Sequence, residues 1–104
     1  MDAVLRALAE PNRRKILSLV RDGEKSAGDI AEAFAISRPA VSQHLKVLEE
    51  AGLVSVRKAG TRRLYLARRE PLAELKAFVD AYWQEGLGRL KDAAEAEQRR
   101  LSDG

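Results

Sequence analysis

The chain of 104 residues contains no cysteine, which excludes disulfides, thiolate metal sites, redox switches and cysteine nucleophiles. It has no glycine-rich phosphate loop and no plausible pair of nucleophile and base, so we do not expect an enzyme. No apolar run approaches the roughly 20 residues that cross a bilayer. The N-terminal MDAVLRALAE lacks the basic start and apolar block of a signal peptide. These absences predict a cytoplasmic protein without metal, cofactor or membrane association.

The residues that are present suit a compact soluble domain, since 45% are hydrophobic and 34% are charged. A chain of this length forms one small domain, residues 1–104, or a domain that completes its core by dimerising. The net charge of +3 is unevenly distributed. Residues 1–69 carry 14 Lys and Arg against 8 Asp and Glu, whereas residues 70–104 carry 5 against 8. The basic part suits a polyanion and the acidic part a different partner.

Helical periodicity covers the first half of the chain. Residues 1–9 predict a short amphipathic helix. A second helix begins at Pro11, whose fixed φ suits the first helical position, and is expected to end at Gly23. Ser26 is the predicted N-cap of a third helix. The connection to a fourth helix is only three residues long, which predicts a helix-turn-helix over residues 26–52.

The fourth helix is predicted from SRPAVSQHLKVLEEAGLV, with Ser37 as its N-cap and Gly52 as its stop. Its apolar face centres on Val41, Leu45 and Leu48. The opposite face carries carboxylates only at its far end, and its first two turns carry Arg38, Pro39, Ser42, Gln43 and Lys46. A helix whose N-terminal end alone meets phosphates and base edges has this pattern, so we predict a recognition helix.

After Gly52 the hydrophobic period changes to two, which predicts a β-hairpin over residues 53–67, here called the wing. Val54, Val56, Leu64 and Leu66 are expected on its apolar side, with Tyr65 on the other. Folding a hairpin does not require four cations at its tip, so we predict that the wing contacts DNA. The predicted contact residues are Arg57, Lys58, Thr61, Arg62 and Arg63.

The chain returns to helical period from Pro71 to about Leu90, with a wide apolar stripe. The stripe is wider than a core of this size requires, and an exposed stripe would promote aggregation. Gly86 and Gly88 weaken the middle of this helix and leave a kink or break open, and residues 95–104 are expected to form a frayed tail. We predict a homodimer through residues 1–9 and 71–94, with an interface of Leu5, Leu8, Leu75, Val79, Tyr82 and Trp83.

Three helices, a tight turn, a recognition helix and a basic hairpin describe a winged helix-turn-helix, a mainly α fold with a small β-hairpin. The segments LAEPNRRKILSLV, SAGDIAEAFAISRPAVSQHLKVLEEAGLV and RKAGTRRLYL resemble the ArsR/SmtB family of bacterial transcriptional repressors in order and spacing. The resemblance covers about Ala7 to Leu66. It implies a homodimeric repressor that binds a palindromic operator in double-stranded DNA and often controls its own gene, with the first and last helices at the dimer interface.

The resemblance also implies which residues contact DNA. The tip of the hairpin matches the family's wing, which lies along the minor groove or backbone. Arg38, Pro39, Ser42 and Gln43 match the family's recognition-helix positions that contact DNA, and with Ala40 and Lys46 they complete the predicted recognition-helix contacts. Apart from the resemblance, Arg13 and Ser37 are candidate phosphate contacts.

The resemblance fails at the metal sites. Metal-sensing members carry a Cys-x-Cys-Asp pattern at the third helix, where this chain has Ser26, Ala27, Gly28 and Asp29. Others carry Asp and His ligands on the last helix, where Asp80 has no histidine near it. Hydroxyl, glycine and a single carboxylate do not bind zinc, arsenic or cadmium tightly. The chain therefore resembles the metal-free autorepressor branch, and any small-molecule or protein effector is unidentified.

The main alternative function is a winged-helix module that binds protein through its last helix. Such a module has no reason to keep a cationic and amide-bearing recognition face ahead of a basic wing. His44, the one histidine, lies at the flank of the apolar arc and is expected to be structural. The run Arg13–Lys15 is either a solvated face or a phosphate contact. Tyr82 and Trp83 are expected in a core or interface, with a ligand pocket as the minor alternative.

Overall fold

The computed structural model describes residues 1–103, which form a mainly α-helical winged helix-turn-helix with a small antiparallel sheet. The described elements are, in chain order, α1 (Asp2–Leu8), α2 (Pro11–Leu19), β1 (Lys25–Ser26), α3 (Ala27–Glu32), α4 (Arg38–Glu50), β2 (Val54–Ala59), β3 (Arg62–Ala67) and α5 (Glu70–Asp103). The fold class predicted from the sequence is confirmed. The chain divides into two compact units, Met1–Ala73 and a second that begins at Glu74.

The hydrophobic core of the first unit combines α1 to α4 with the wing strands. Its members are buried apolar side chains that the helical and strand periods bring to one side: Val4, Ala7, Ile16, Val20, Ile30, Val41, Leu45, Leu48, Leu53, Val54 and Tyr65. Fully burying a Val, Leu or Ile side chain stabilises the fold by about 1.5–3 kcal/mol. The α4 members Val41, Leu45 and Leu48 thus fix which face of the recognition helix remains outside.

Side-chain caps fix where the helices of the helix-turn-helix begin. The Ser26 hydroxyl accepts a hydrogen bond from the Asp29 amide at 3.1 Å, and the Ser37 hydroxyl accepts one from the Ala40 amide at 3.3 Å. Both caps satisfy amides that have no partner within their helix. Both were predicted from the sequence and are confirmed.

The second helix ends earlier than predicted, at Leu19 rather than at Gly23. Val20 leaves helical geometry, with φ −106° and ψ 15°. Its carbonyl accepts a hydrogen bond from the amide of Ala67 at the end of the wing, at 2.9 Å. A tertiary backbone contact therefore replaces the helical continuation that the sequence indicated.

Gly52 ends the recognition helix with a Schellman motif. The Leu53 amide donates to the Leu48 carbonyl at 2.9 Å and the Gly52 amide to the Glu49 carbonyl at 2.9 Å. Gly52 has φ +75°, a left-handed conformation that glycine adopts without penalty. The chain can thus turn directly from α4 into the wing, and Leu53 is carried into the core.

The sheet has the strand order β1-β3-β2, so a third, two-residue strand that the sequence did not predict joins the hairpin. The hairpin register pairs Val54 with Ala67 and Val56 with Tyr65. Residues directly opposite each other share a face, so Tyr65 faces the core and is buried, whereas Leu64 and Leu66 lie on the other face and are half-buried. The predicted orientation of β3 was therefore wrong by one residue.

The last helix is helical throughout its described length, from Glu70 to Asp103, including Gly86 and Gly88. This corrects the expectation of a frayed tail from residue 95, of which Gly104 lies outside the described residues. Residues 91–101 are rich in good helix formers. Ion pairs one turn apart, Lys91 with Glu95 and Arg100 with Glu97, add support. Among residues 1–103, no helix has the length and apolar character to span a membrane.

Candidate nucleic-acid interface

The outer face of α4 presents polar side chains to solvent. Arg38, Pro39, Ser42, Gln43 and Lys46 are exposed, whereas the predicted contact Ala40 is half-buried. Within residues 1–103, the four polar side chains of this set take part in no hydrogen bond or ion pair, so their donors and acceptors are available to a ligand. An exposed, uncommitted row of cation, hydroxyl and amide groups over two turns is suited to the major groove of DNA.

The Arg38 guanidinium lies over the first turn of α3 because Gly28 has no side chain there. A Cβ added at Gly28 would lie 3.0 Å from Arg38 Nη2. Arg38 also borders a groove of about 820 Å³ between α3, the start of α4 and the tip of the wing. The side chains along this groove carry both signs of charge, and its lining consists of Ser26, Ala27, Gly28, Asp29, Ala31, Glu32, Ile36, Arg38, Thr61, Arg62 and Arg63.

The two candidate phosphate contacts are already used within the fold. The Arg13 guanidinium donates from Nε to the Ala7 carbonyl at 2.7 Å and from Nη2 to the Arg6 carbonyl at 3.1 Å, satisfying the C-terminal end of α1. The Ser37 hydroxyl caps α4. These contacts give both side chains a role within the fold, and their contact with phosphate stays a prediction.

The His44 side chain extends from α4 to the start of α2. Its Nδ1 lies 3.4 Å from Arg13 Nη1, and its Nε2 lies 3.8 Å from Glu10 Oε2. The side chain is only 18% exposed. These contacts agree with the structural role that we predicted for it.

The four cations of the wing divide into two pairs. Arg57 contacts the Glu24 carboxylate at 2.8 and 2.9 Å, and Arg62 Nη2 donates to Asp29 Oδ2 at 3.2 Å. The Glu24 carboxylate raises the pKa of the Arg57 guanidinium above its ordinary value, mainly by this hydrogen bond. Lys58 and Arg63 are exposed and have no ion-pair partner among residues 1–103. Thr61 is exposed in the turn.

Known proteins of similar sequence identify the family. A family model described as "Bacterial regulatory protein, arsR family" matches residues 10–56. The HTH-type transcriptional regulator Rv2034 of Mycobacterium tuberculosis is 44% identical over 86 residues, which cover 83% of this chain and 80% of that protein. The chain belongs to the ArsR family. The transcriptional repressor SdpR of Bacillus subtilis is 47% identical over 60 residues, 58% of this chain and 67% of that repressor.

Solved structures agree with this assignment to the ArsR family. A crystal structure of a possible transcriptional regulator for arsenical resistance matches with a TM-score of 0.72 and 44% identity, over 86% of this chain and 93% of the other. The homodimeric winged helix-turn-helix DNA-binding domain of a possible ArsR-family regulator from Mycobacterium bovis matches with a TM-score of 0.64 and 36% identity, over 81% and 78%. This ArsR-family chain is therefore a DNA-binding transcriptional regulator.

The residues predicted for the dimer interface of this ArsR-family chain are mostly exposed. On α5, Val79 is 51%, Tyr82 70% and Trp83 64% exposed, and on α1 Leu5 is 45% exposed. Leu8 differs, because it packs partly buried against the core of the first unit. Leu75 is half-buried.

Two side chains at the family's metal positions at the start of α3 already have partners within the fold. Ser26 is buried and its hydroxyl is used by the α3 cap, while the Asp29 carboxylate contacts Arg62. In the part of the chain that the structure describes, no group of three or more His, Cys, Asp or Glu side chains is placed to hold a metal ion.

Sequence reasoning missed Glu24 and Asp29 as neighbours of the wing. Each lies 33 positions from its arginine. No local pattern signals such a pair, because the contact depends on β1 joining β3, and β1 is only two residues long.

Proposed function

We propose that this ArsR-family regulator is a homodimeric repressor that binds a palindromic operator and does not sense metals. The observation that carries the proposal is the uncommitted polar face of α4, which includes Arg38, Gln43 and Lys46, next to the unpaired wing cations Lys58 and Arg63. The buried opposite face of α4 leaves this polar row outside. We further propose that residues 1–104 work as one cytoplasmic DNA-binding domain and have no enzymatic activity.

The apolar stripe of α5 supports the proposed dimer. Phe78, Val79, Tyr82, Trp83 and Leu90 are each at least half exposed on one helix. Such a surface is unusually apolar for a free protein surface and is suited to a second copy of the same helix. A similar chain from Mycobacterium bovis is described as homodimeric, which supports the same assembly here. The protein-docking alternative uses the same stripe but does not explain the polar face of α4.

The test is a footprint on the DNA upstream of the protein's own gene. We expect two protected half-sites related by a two-fold axis and separated by about one helical turn. Protection of a single unrepeated half-site would contradict the dimer, and the absence of sequence-specific protection on any genomic fragment would contradict the repressor.

Removing the wing cations should weaken the salt dependence of DNA binding. Changing Arg62 and Arg63 together to Gln is expected to flatten the plot of log affinity against log salt by on the order of one to two units per wing, because fewer counterions are released. The matched control changes Arg99 and Arg100 to Gln, which removes the same charge from α5. A slope that falls equally in both variants, or in neither, would show that the wing points away from DNA.

Metals are not expected to release the protein from its operator. Zinc, cadmium or arsenite at modest excess should leave binding unchanged, because the four residues at the family's α3 position offer a capping hydroxyl and one arginine-paired carboxylate. Fluorescence anisotropy with labelled operator measures this. Release that persists after chelator controls and follows stoichiometric metal binding would refute the metal-free assignment.

A further inference from the structure

Two carboxylates flank the short strand β1, and each contacts one arginine of the wing. Glu24 precedes Lys25–Ser26 and contacts Arg57 of β2. Asp29 follows in the first turn of α3 and contacts Arg62 of β3. Both ion pairs are exposed to solvent, with the Arg62 and Asp29 side chains 60% and 56% accessible.

The register of the hairpin assigns the four wing cations to two faces. Arg57 is opposite Leu64 and Ala59 opposite Arg62, so both ion-paired arginines belong to one face. Lys58 is opposite Arg63, which places both unpaired cations on the other face. The Glu24 and Asp29 carboxylates therefore compensate the cations on one face of the wing. Lys58 and Arg63 remain uncompensated at the tip of the other face, which nearer the helices carries the buried Val54 and Tyr65.

We propose that Asp29, together with Glu24, acts as an internal competitor for DNA phosphate at the wing. Lys58 and Arg63 are available to the backbone of DNA at once, whereas Arg62 and Arg57 become available only when phosphate displaces a carboxylate. Asp29 and Glu24 thereby lower the affinity of the wing for any DNA and reduce non-specific retention. This inference rests on the proposed DNA-binding function and adds to it two residues that set affinity without contacting DNA.

The alternative role for these ion pairs is to hold the wing in position, and the backbone already does so. Lys25 pairs with Tyr65 and Ser26 with Leu64, which joins β1 to β3 next to Arg62. The Ala67 amide is bonded to the Val20 carbonyl and the Arg68 amide to the Leu53 carbonyl, at 2.9 and 2.8 Å. Exposed ion pairs contribute little to stability beside such contacts. Removing a carboxylate should therefore leave Arg62 in place with its charge uncompensated.

The experiment measures binding of the full-length Asp29→Asn variant to a random-sequence duplex over a series of salt concentrations. We expect roughly 3- to 10-fold tighter binding than wild type at low salt, and a log–log slope that is steeper by up to about one unit per protomer. Glu24 lies outside any helix, and Glu24→Gln should likewise tighten binding and steepen the slope. It also provides a second variant if Asp29→Asn destabilises α3.

Two controls separate competition for Arg62 from a change in net charge. Glu32→Gln removes the same charge from the same helix and lines the same groove, but Glu32 has no cationic partner among residues 1–103, so a smaller gain is expected. In an Arg62→Gln background, Asp29→Asn should give little further gain, since the cation that it releases is absent. The difference between the effect of Asp29→Asn in wild type and in the Arg62→Gln background measures the coupling between Asp29 and Arg62.

Unchanged or weaker binding by both carboxylate variants would overturn the inference, and so would a full gain in the Arg62→Gln background. The salt needed to elute each variant from heparin provides a readout that does not depend on operator recognition. Wild type that binds heparin but no duplex DNA would refute the proposed function, while the order of elution of the variants would still test the ion pair.

Discussion

Changing Trp83 to Asp is expected to produce monomers that no longer bind the operator. Trp83 is 64% exposed within one chain, so the core of the first unit does not depend on it. In the dimer that we propose it becomes part of an apolar interface, where an unpaired carboxylate is strongly unfavourable. A single recognition helix reads only a few base pairs, so operator affinity should fall by roughly 10³-fold or more, towards the non-specific level.

Light scattering and operator binding on the same samples decide this prediction. Val79→Asp should behave like Trp83→Asp. The matched control is Ala77→Asp, which places the same side chain on the opposite side of α5 at 100° per residue and should remain a dimer. Circular dichroism should show folded protein in all three variants. Wild type that is monomeric at micromolar concentration and still binds its operator tightly would refute the dimer.

Changing Gln43 to Ala should weaken operator binding by about 1–3 kcal/mol and relax the base preference at one position in each half-site. Gln43 is exposed in the second turn of α4 and has no partner within residues 1–103, so its amide is available to adenine. Arg38→Ala should have a similar effect with preference lost at a guanine. Its guanidinium has no ion-pair partner in residues 1–103 and extends along the groove beside Gly28.

Affinity for the operator and for a random duplex must be measured side by side at one salt concentration. A loss of affinity for the operator alone would support contact with a base. An equal loss of affinity for both duplexes would show that the side chain contacts only phosphate. Glu50→Ala is the matched control, because Glu50 is exposed at the far end of the same helix. It should leave the base preference unchanged.

The recognition helix was predictable from the sequence because local chemistry determines it. The helix begins at the Ser37 cap and ends at Gly52, in both cases through hydrogen bonds between nearby residues. Three buried apolar positions at helical spacing determine which face of the helix is exposed. The exposed recognition residues follow directly from that orientation. Which bases they contact remains a prediction, since it depends on DNA rather than on the chain.

The features that were mispredicted depend on contacts between distant segments. Tyr65 was assigned to the wrong face because alternation within β3 is ambiguous, and only the pairing of Val56 with Tyr65 resolves it. The early end of α2 depends on the Ala67 amide, 47 positions after Val20. The continuation of α5 to Asp103 depends instead on local chemistry. Residues that favour helix and ion pairs such as Lys91 with Glu95 outweigh the fraying expected near a chain end.

The hydrogen bonds that close the wing onto the helices also bear on how the repressor could be regulated. The Leu53 amide donates to the Leu48 carbonyl at the end of α4, and the Leu53 carbonyl accepts a hydrogen bond from the Arg68 amide. The open end of the hairpin is therefore closed and bonded directly to the recognition helix. A recognition helix and wing that are bonded in this way offer an effector few alternative conformations to select. In the proposed dimer, an effector that releases the operator would then change the distance or angle between the two recognition helices. Because the half-sites lie about one helical turn apart, a small change would move one helix out of register with its half-site.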